Sequence, residues 1–370
     1  MAFTCQLKNR FFKKFLICLF LCTVFISLPC FFKRGIGVVD DTNFLVISKW
    51  IGYGYKPYRD LIEIKPPAIF YTLHIIQKIF GEAWWISRAF ILIIDITFVI
   101  FTALFVSKIY GSISGILTAV FLYPSILIFG GYRIHTETFV SLLGIIAINF
   151  IYNREKGSFI RIIGFGLIIG LASLYKQPGV FYLFGYIVFL LFEFFKKRIN
   201  PREWLKFCLF SCIGFLLVWT VAIFLLKKTS ILKDFFECTI FLPLNFERGD
   251  VCVRGYLRLI FFILLTPLSF IVLGLVYIFK KYKNTINIES SYRLWCILFL
   301  FSLIPFYKGP TPSYFICALF PFIILLARFW LEIISIFLNR KDIFLHFKSQ
   351  FTKRIVMVLF IIILVFHSTT

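Results

Sequence analysis

The sequence predicts an all-α membrane protein, a polytopic helical bundle, and three observations carry that prediction. Residues AVILMFWYC make up 61% of the 370, charged residues only 15%, and the mean hydropathy is +0.94. Soluble domains run at about 45–50% apolar and about 25% charged. This chain lacks the polar surface to cover a water-soluble globule, so the excess needs lipid. Apolar stretches also recur along the whole length, and the breaks between them sort by charge. The same figures exclude the disordered, fibrous and disulfide-rich secreted classes. The net charge of +23, from 40 Lys+Arg against 17 Asp+Glu, would suggest nucleic acid in a soluble chain. Here the positives fall between apolar segments, where they set topology and meet anionic headgroups, so no nucleic acid is expected.

The predicted spans are 15–32, 84–109, 112–129, 138–152, 160–175, 179–195, 207–226, 257–279, 294–306, 313–335 and 355–367. Several fall short of the roughly 20 residues a crossing helix needs, so the expectation is about 10–11 transmembrane helices in a single domain, 1–370. The first span follows a basic preface, Lys8, Arg10, Lys13 and Lys14. No small-residue cleavage site follows it, only Pro29-Cys30-Phe31-Phe32-Lys33, which reads as an uncleaved helix. Of the ten cysteines, Cys18, Cys22, Cys208, Cys212, Cys296 and Cys317 lie in apolar runs, and no zinc spacing occurs. Only Cys238 and Cys252 share a polar loop, where a disulfide is open but unforced.

With the N-terminus in the cytoplasm, alternation puts four basic groups inside: Arg154/Lys156/Arg161, Lys196/Lys197/Arg198/Arg202/Lys206, Lys280/Lys281/Lys283/Arg293 and Arg340/Lys341/Lys348/Lys353/Arg354. The outer segments are then 33–83, 130–137, 176–178, 227–256 and 307–312. They hold most of the loop acids: Asp40, Asp41, Asp60, Glu63, Glu82, Glu137, Asp234, Glu237, Glu247 and Asp250.

Segment 33–83 is the most informative. Asp40-Asp41 ends a turn containing Gly35 and Gly37 and is placed to cap a helix from about Thr42, with Phe44, Ile47 and Ile51 at helical spacing. Gly52-Tyr-Gly-Tyr-Lys-Pro57 stops it. A second helix is expected from Pro67, with Ile69, Phe70, Leu73, Ile76 and Phe80 on one face and His74, Gln77 and Lys78 on the other. Such helices lie in the membrane interface rather than spanning it.

Asp40 and Asp41 have two readings: a cap at the membrane surface, or a general base that takes a proton from an acceptor hydroxyl. Adjacent carboxylates seldom point the same way, so one is free to act while the other caps or orients. Lys56, Arg59 and Lys65 either snorkel toward bulk lipid phosphates or clamp one specific lipid phosphate. Pro66-Pro67 stiffens the backbone beyond Lys65 and aims its ammonium. Arg133, in the next outer loop, is a second cation. Arg133-Ile-His135-Thr-Glu137 is half a metal site at most. Otherwise it is a polar start to a helix near Thr138, with Glu137 favoured by the dipole. Arg88 and Asp95 share one helix face about 10 Å apart. A central Asp costs about 2.5–3.5 kcal/mol to insert, so Asp95 should face protein and serve as a helix–helix partner. Tyr175-Lys176-Gln177-Pro178-Gly179 and Lys308-Gly-Pro-Thr-Pro-Ser-Tyr314 are turns that also line an outer cavity on the functional reading.

These residues resemble a known pattern. Asp40-Asp41, Gly54-Tyr-Lys-Pro57-Tyr58-Arg-Asp60, Ile64-Lys65-Pro66-Pro67, Gly81 and Arg88 look like the first outer loop of GT-C glycosyltransferases of the family 39 protein mannosyltransferase, aminoarabinose transferase and RgtA/B/C/D-like kinds. His135-Thr-Glu137 resembles their second acidic motif, Lys176-Gln-Pro178-Gly179 a later turn, and Tyr314 with Pro321 a late Tyr…Pro helix. The resemblance spans about residues 15–330 and implies the GT-C fold. It implies a polyprenyl-phosphate sugar donor and inverting transfer on the extracytoplasmic face, in the plasma (inner) membrane of a bacterium, to a lipid, glycan or protein acceptor.

Asp40 matches the family's base, Lys65 its phosphate lysine and Glu137 its second acid. Arg59, Arg133 and Arg88 are further donor-phosphate candidates, and His135, Lys176, Gln177 and Tyr314 line the substrate side. Asp41 stands where Glu is usual. The chain ends soon after the last helix without the soluble outer domain many relatives carry, which leaves acceptor contact to the loops, chiefly 227–256. No cofactor is assigned, and a divalent metal stays open.

The chemistry is consistent with that pattern. A glycosidase needs an acid for its poor leaving group, whereas a phosphate leaves readily and needs cations against its developing charge. One base with a Lys/Arg cluster is the expected composition. The rival class, a flippase or transporter of lipid-linked sugars, would show internal repeats and broken mid-membrane helices in both halves, and no clear repeat is seen. An O-antigen ligase or polymerase is a second rival.

Overall fold

The computed structural model describes residues 39–130, 133–152, 158–245, 290–305 and 312–339, with scattered positions between 14 and 25. The predicted spans 257–279 and 355–367, most of 15–32, Cys252 and the basic groups at 280–283 and 340–354 lie outside the described residues.

Two helices built from the first outer segment come first, α1 (Val39–Gly52) and α2 (Ala68–Phe80). The bundle follows as α3 (Trp84–Tyr110), α4 (Ser112–Ile128), α5 (Thr136–Tyr152), α6 (Phe159–Tyr175), α7 (Val180–Phe195) and α8 (Pro201–Lys228). Two short helices, α9 (Leu232–Phe236) and α10 (Leu242–Asn245), flank a π turn at Glu237–Phe241, and α11 (Ser290–Ser302) and α12 (Phe315–Asn339) complete the described chain. No strand occurs among the described residues beyond one isolated bridge between Pro57 and Leu61.

Local chemistry sets the boundaries. Gly81 and Gly111 end α2 and α3 at φ 104° and 91°, which a side chain resists. α8 starts at Pro201, six residues before the predicted 207. Asn200 and Glu203 form a reciprocal capping box there, and Pro sits at the first helical position. α3, α8 and the segment Gln177–Phe195 are long and apolar enough to cross a membrane, and shorter apolar helices of 10–17 residues accompany them.

α12 packs on α4 and α5, α7 on α11, and α6 between α5 and α8. The main core runs through Phe98, Tyr123, Phe165, Tyr182, Trp295 and Phe320, all buried. α6 and α8 meet backbone to backbone: a Cβ at Gly166 would fall on the Ser211 carbonyl, and one at Gly214 on the Ile163 carbonyl. Asp95 is fully buried and faces protein, near Thr138 of α5. At the opposite end from the candidate site, buried Glu193 of α7 accepts from Arg293 of α11 at 2.6 Å and from Arg198 at 3.5 Å, which clasps two helices.

A second, smaller core gathers Phe44, Tyr58, Phe70, Ile134, Phe139, Leu226 and Phe235. It draws residues of segments 33–83, 130–137 and 227–256 to one end of the bundle. One expectation is corrected here. α2 buries Ile69, Phe70, Leu73 and Gln77 and exposes Tyr71, Ile75, Ile79 and Phe80. His74 and Gln77 turn inward because the α1 carbonyls of Ser48 and Leu45 offer partners at 3.0 and 3.4 Å. The outward row is apolar, as suits a helix lying against lipid.

Candidate active site

α1 begins at Val39, so Asp40 and Asp41 occupy its first turn rather than capping a helix from Thr42. Acids are favoured there by the helix dipole. Neighbouring helical positions lie about 100° apart, and the two carboxylates diverge. Asp40 is 52% exposed in its side chain, and Asp41 is 1% exposed. Asp41 accepts from Arg88 Nη2 at 3.1 Å and from the Ile134 N–H at 3.1 Å, so it ties α1 to α3 and to the loop before α5. Arg88 is itself buried, its guanidinium 5.1 Å over the Trp84 ring. Arg88, a phosphate candidate on sequence, therefore stands behind Asp41 as its counter-ion.

Lys65 reaches back to Asp40. Its Nζ lies 3.4 Å from Asp40 Oδ1, 3.8 Å from Glu63 Oε1 and 4.7 Å over the Phe44 ring. Tyr58 holds the segment in shape. Its φ of 72° turns the chain, its N–H donates to Leu61 at 2.8 Å, and its hydroxyl donates to the Lys65 carbonyl at 2.9 Å. Burial pushes the Tyr58 phenol up, which keeps it a donor at neutral pH. The ring packs edge-on against Phe70 and Phe235.

A second ionic cluster is buried beside the first. α5 starts at Thr136, two residues before the predicted Thr138, and Glu137 in its first turn points inward. Its carboxylate accepts from Lys176 Nζ at 2.5 Å and from the Thr136 hydroxyl at 3.1 Å. The Lys176 ammonium also lies 3.8 Å from the centroid of the Tyr314 ring. Burial pulls Lys176 down, but the Glu137 charge and hydrogen bond outweigh it and hold the amine above its ordinary value. His135 Nδ1 is 4.0 Å from Glu137 Oε2. Burial holds His135 below its ordinary value. Arg133 lies on the same turn, close enough for its charge to act on that ring. No group of three or more His, Cys, Asp or Glu is placed to hold a metal ion among the described residues.

Gln177 joins the clusters. It follows Lys176 and donates to the carbonyl of Ile64, next to Lys65, and to that of Thr239, each at 3.3 Å. Arg59 points away from Lys65, to Asp234 at 3.2 Å and to the Ser230 carbonyl. Asp40, Asp41, Lys65 and Arg88 thus stand together, with His135, Glu137, Lys176 and Tyr314 alongside. Arg59 instead docks the α8–α9 turn. Glu63 and Phe44 join the site around Lys65, and Asp234 holds Arg59, three contacts that sequence spacing alone does not assign. The Glu63-x-Lys65 spacing was the one available signal, since alternate residues of extended chain share a side.

Residues 64–229 match the family model described as dolichyl-phosphate-mannose-protein mannosyltransferase. Among solved structures, the chain is similar to ArnT from Cupriavidus metallidurans bound to undecaprenyl phosphate, at 13% identity and a TM-score of 0.56. It is also similar to the same protein in the apo state, at 14% identity and a TM-score of 0.51. Each match covers 85% of this chain and 59% of that one, so the chain spans well under two thirds of that protein's length. No curated protein sequence matches it. The likeness is one of fold.

Proposed function

We propose that the chain is a GT-C-type, polyprenyl-phosphate-dependent glycosyltransferase, a reading supported by its fold and by the match over residues 64–229. It transfers a sugar with inversion to an acceptor hydroxyl on the extracytoplasmic face of a bacterial plasma membrane. The observation that carries this reading is the exposed Asp40 carboxylate 3.4 Å from the Lys65 ammonium, on a platform whose outward helix face is apolar.

In this reading Asp40 accepts the proton of the acceptor hydroxyl as its oxygen bonds to the anomeric carbon. The bond from that carbon to the phosphate oxygen breaks, and its electron pair leaves with the polyprenyl phosphate. Lys65 stabilises the phosphate charge, with Arg133 a second cation and Arg59 more distant. Asp41 and Arg88 orient α1 so that Asp40 faces outward. Glu137, His135, Lys176, Gln177 and Tyr314 form the inner wall, and loop 227–256, described as far as Asn245, is the acceptor side.

The test is transfer by the full chain in proteoliposomes given labelled polyprenyl-phosphate sugars. A new glycosidic bond is expected. Label that crosses leaflets without bond formation would instead identify a flippase. Asp40→Asn should lower transfer about 10²–10⁴-fold, and full activity in a correctly inserted Asp40→Asn protein would remove Asp40 from the role of base.

A further inference from the structure

Resting on that reading, we propose that Glu63 is a positioning residue: it shares the Lys65 ammonium with Asp40, so the ammonium can pass to a donor phosphate while the base is released.

The two carboxylates around Lys65 differ in a way the reaction can use. Asp40 stands on the first turn of α1 with half of its side chain in solvent. Glu63 is buried, 6% exposed in its side chain, and its Oε1 is fixed by the Ile64 N–H at 2.9 Å. The ammonium lies between them, 3.4 Å from the exposed acid and 3.8 Å from the buried one, over the face of Phe44. The backbone that carries both Glu63 and Lys65 is itself pinned, by Tyr58 to the Lys65 carbonyl and by Gln177 to the Ile64 carbonyl.

An ammonium bears three donors. Before the donor arrives, Asp40 is engaged by Lys65 at 3.4 Å, so the ammonium occupies the carboxylate that an acceptor hydroxyl would have to reach. A phosphate entering beside Lys65 competes with Asp40 for the ammonium. Glu63, fixed by the backbone, keeps its own hold on the ammonium and so keeps Lys65 from following the phosphate outward. Phosphate binding then unmasks Asp40, and the acceptor hydroxyl meets an active base only when a donor is present. Without the Glu63 charge, Asp40 is the sole carboxylate within 4 Å of Lys65 among the described residues, and the masking deepens.

The experiment is steady-state transfer with a purified, correctly inserted Glu63→Gln chain in proteoliposomes, varying the donor. Gln keeps the side-chain oxygen that accepts from Ile64. The expected result is a split: kcat falls about tenfold or more, while the donor KM is unchanged or lower, since one negative charge has left the phosphate's surroundings. In the Asp40→Asn background the same change should have no further effect on kcat, because Glu63 acts through the base. A Glu63→Gln enzyme with wild-type kcat, one whose donor KM rises with kcat intact, or one that loses kcat equally with and without Asp40, overturns the assignment.

Should Glu63→Gln lose its thermal transition in detergent, Glu63→Asp carries the test. With the charge kept it should retain kcat within about fivefold, and a folded Glu63→Asp protein that loses about a hundredfold overturns the proposal. If the wild-type chain transfers no sugar from any polyprenyl-phosphate donor, the glycosyltransferase reading fails and this one with it. If it transfers and Glu63→Gln keeps its kcat, only the Glu63 assignment fails.

Discussion

The Arg88 guanidinium rests 3.1 Å from the Asp41 carboxylate, with both side chains sealed from solvent. A buried ion pair is a poor source of net stability, because desolvating both charges offsets their attraction. Its value lies in direction. Asp41 also accepts from Ile134, so three elements meet at one carboxylate, and the next residue back along α1 is turned outward.

Removing the cation alone should be costly. Arg88→Met leaves Asp41 charged and buried, and a loss of about 3–5 kcal/mol is expected. Thermal unfolding in detergent would show it, and the Arg88→Met/Asp41→Asn double variant should recover part of the loss. A melting temperature for Arg88→Met equal to wild type would contradict this account.

Lys176 makes a comparable prediction with a different signature. Lys176→Met strands Glu137 beside His135 and Thr136 and should cost about 3–5 kcal/mol, while Lys176→Met/Glu137→Gln should cost less than the sum of the two single changes. Tyr314→Phe keeps the ring beneath the ammonium and should be mild, whereas Tyr314→Leu should lose about 0.5–2 kcal/mol. The melting temperatures of the five variants, Glu137→Gln included, are the measurement.

The glycine contact between α6 and α8 gives an internal comparison. At Gly166 an added methyl meets backbone, the Ser211 carbonyl, which cannot swing aside. At Gly164 it meets the edge of the Phe150 ring, a side chain 44% exposed rather than backbone. Gly166→Ala should therefore destabilise by about 1–3 kcal/mol and Gly164→Ala by clearly less. Equal losses would show that the helices yield at that crossing.

Stability should also fall on mild acidification, through His135. Burial holds this imidazole below its ordinary value, against the opposing pull of Glu137 and Asp41 and in concert with Lys176 and Arg133. Below about pH 6.5 the unfolded chain takes up a proton that the folded chain refuses. Stability contributed by the neutral form is then lost as pH drops from that value through the folded one. His135→Gln should flatten this part of the melting temperature against pH, and an unchanged slope would exclude His135 as its source.

Much of the bundle was legible because apolar runs and their breaks report directly on lipid. Helices α3 to α7 begin and end within about two residues of the predicted spans. Asp40 and Lys65 were legible as a pair because a turn, a stop and a double proline confine the chain between them. The inward turn of His74 and Gln77 was not, because it depends on carbonyls of another helix that side-chain periodicity does not register. Arg59 and Asp234 are 175 positions apart, and nothing local to either announces the other. Glu63 was visible as an acid of the outer loop, but its burial is a tertiary fact.

On the proposed reading, the apolar row of Tyr71, Ile75, Ile79 and Phe80 on α2 would work like a keel and set how deep the reaction centre sits. In an enzyme of this build, a lipid-borne reactant would drift in sideways with its tail still dissolved among the acyl chains, and only its head would change surroundings. Encounter with the donor would then follow molecules per unit area of bilayer, and dilution of the vesicle suspension at fixed lipid composition and saturating acceptor should leave turnover untouched.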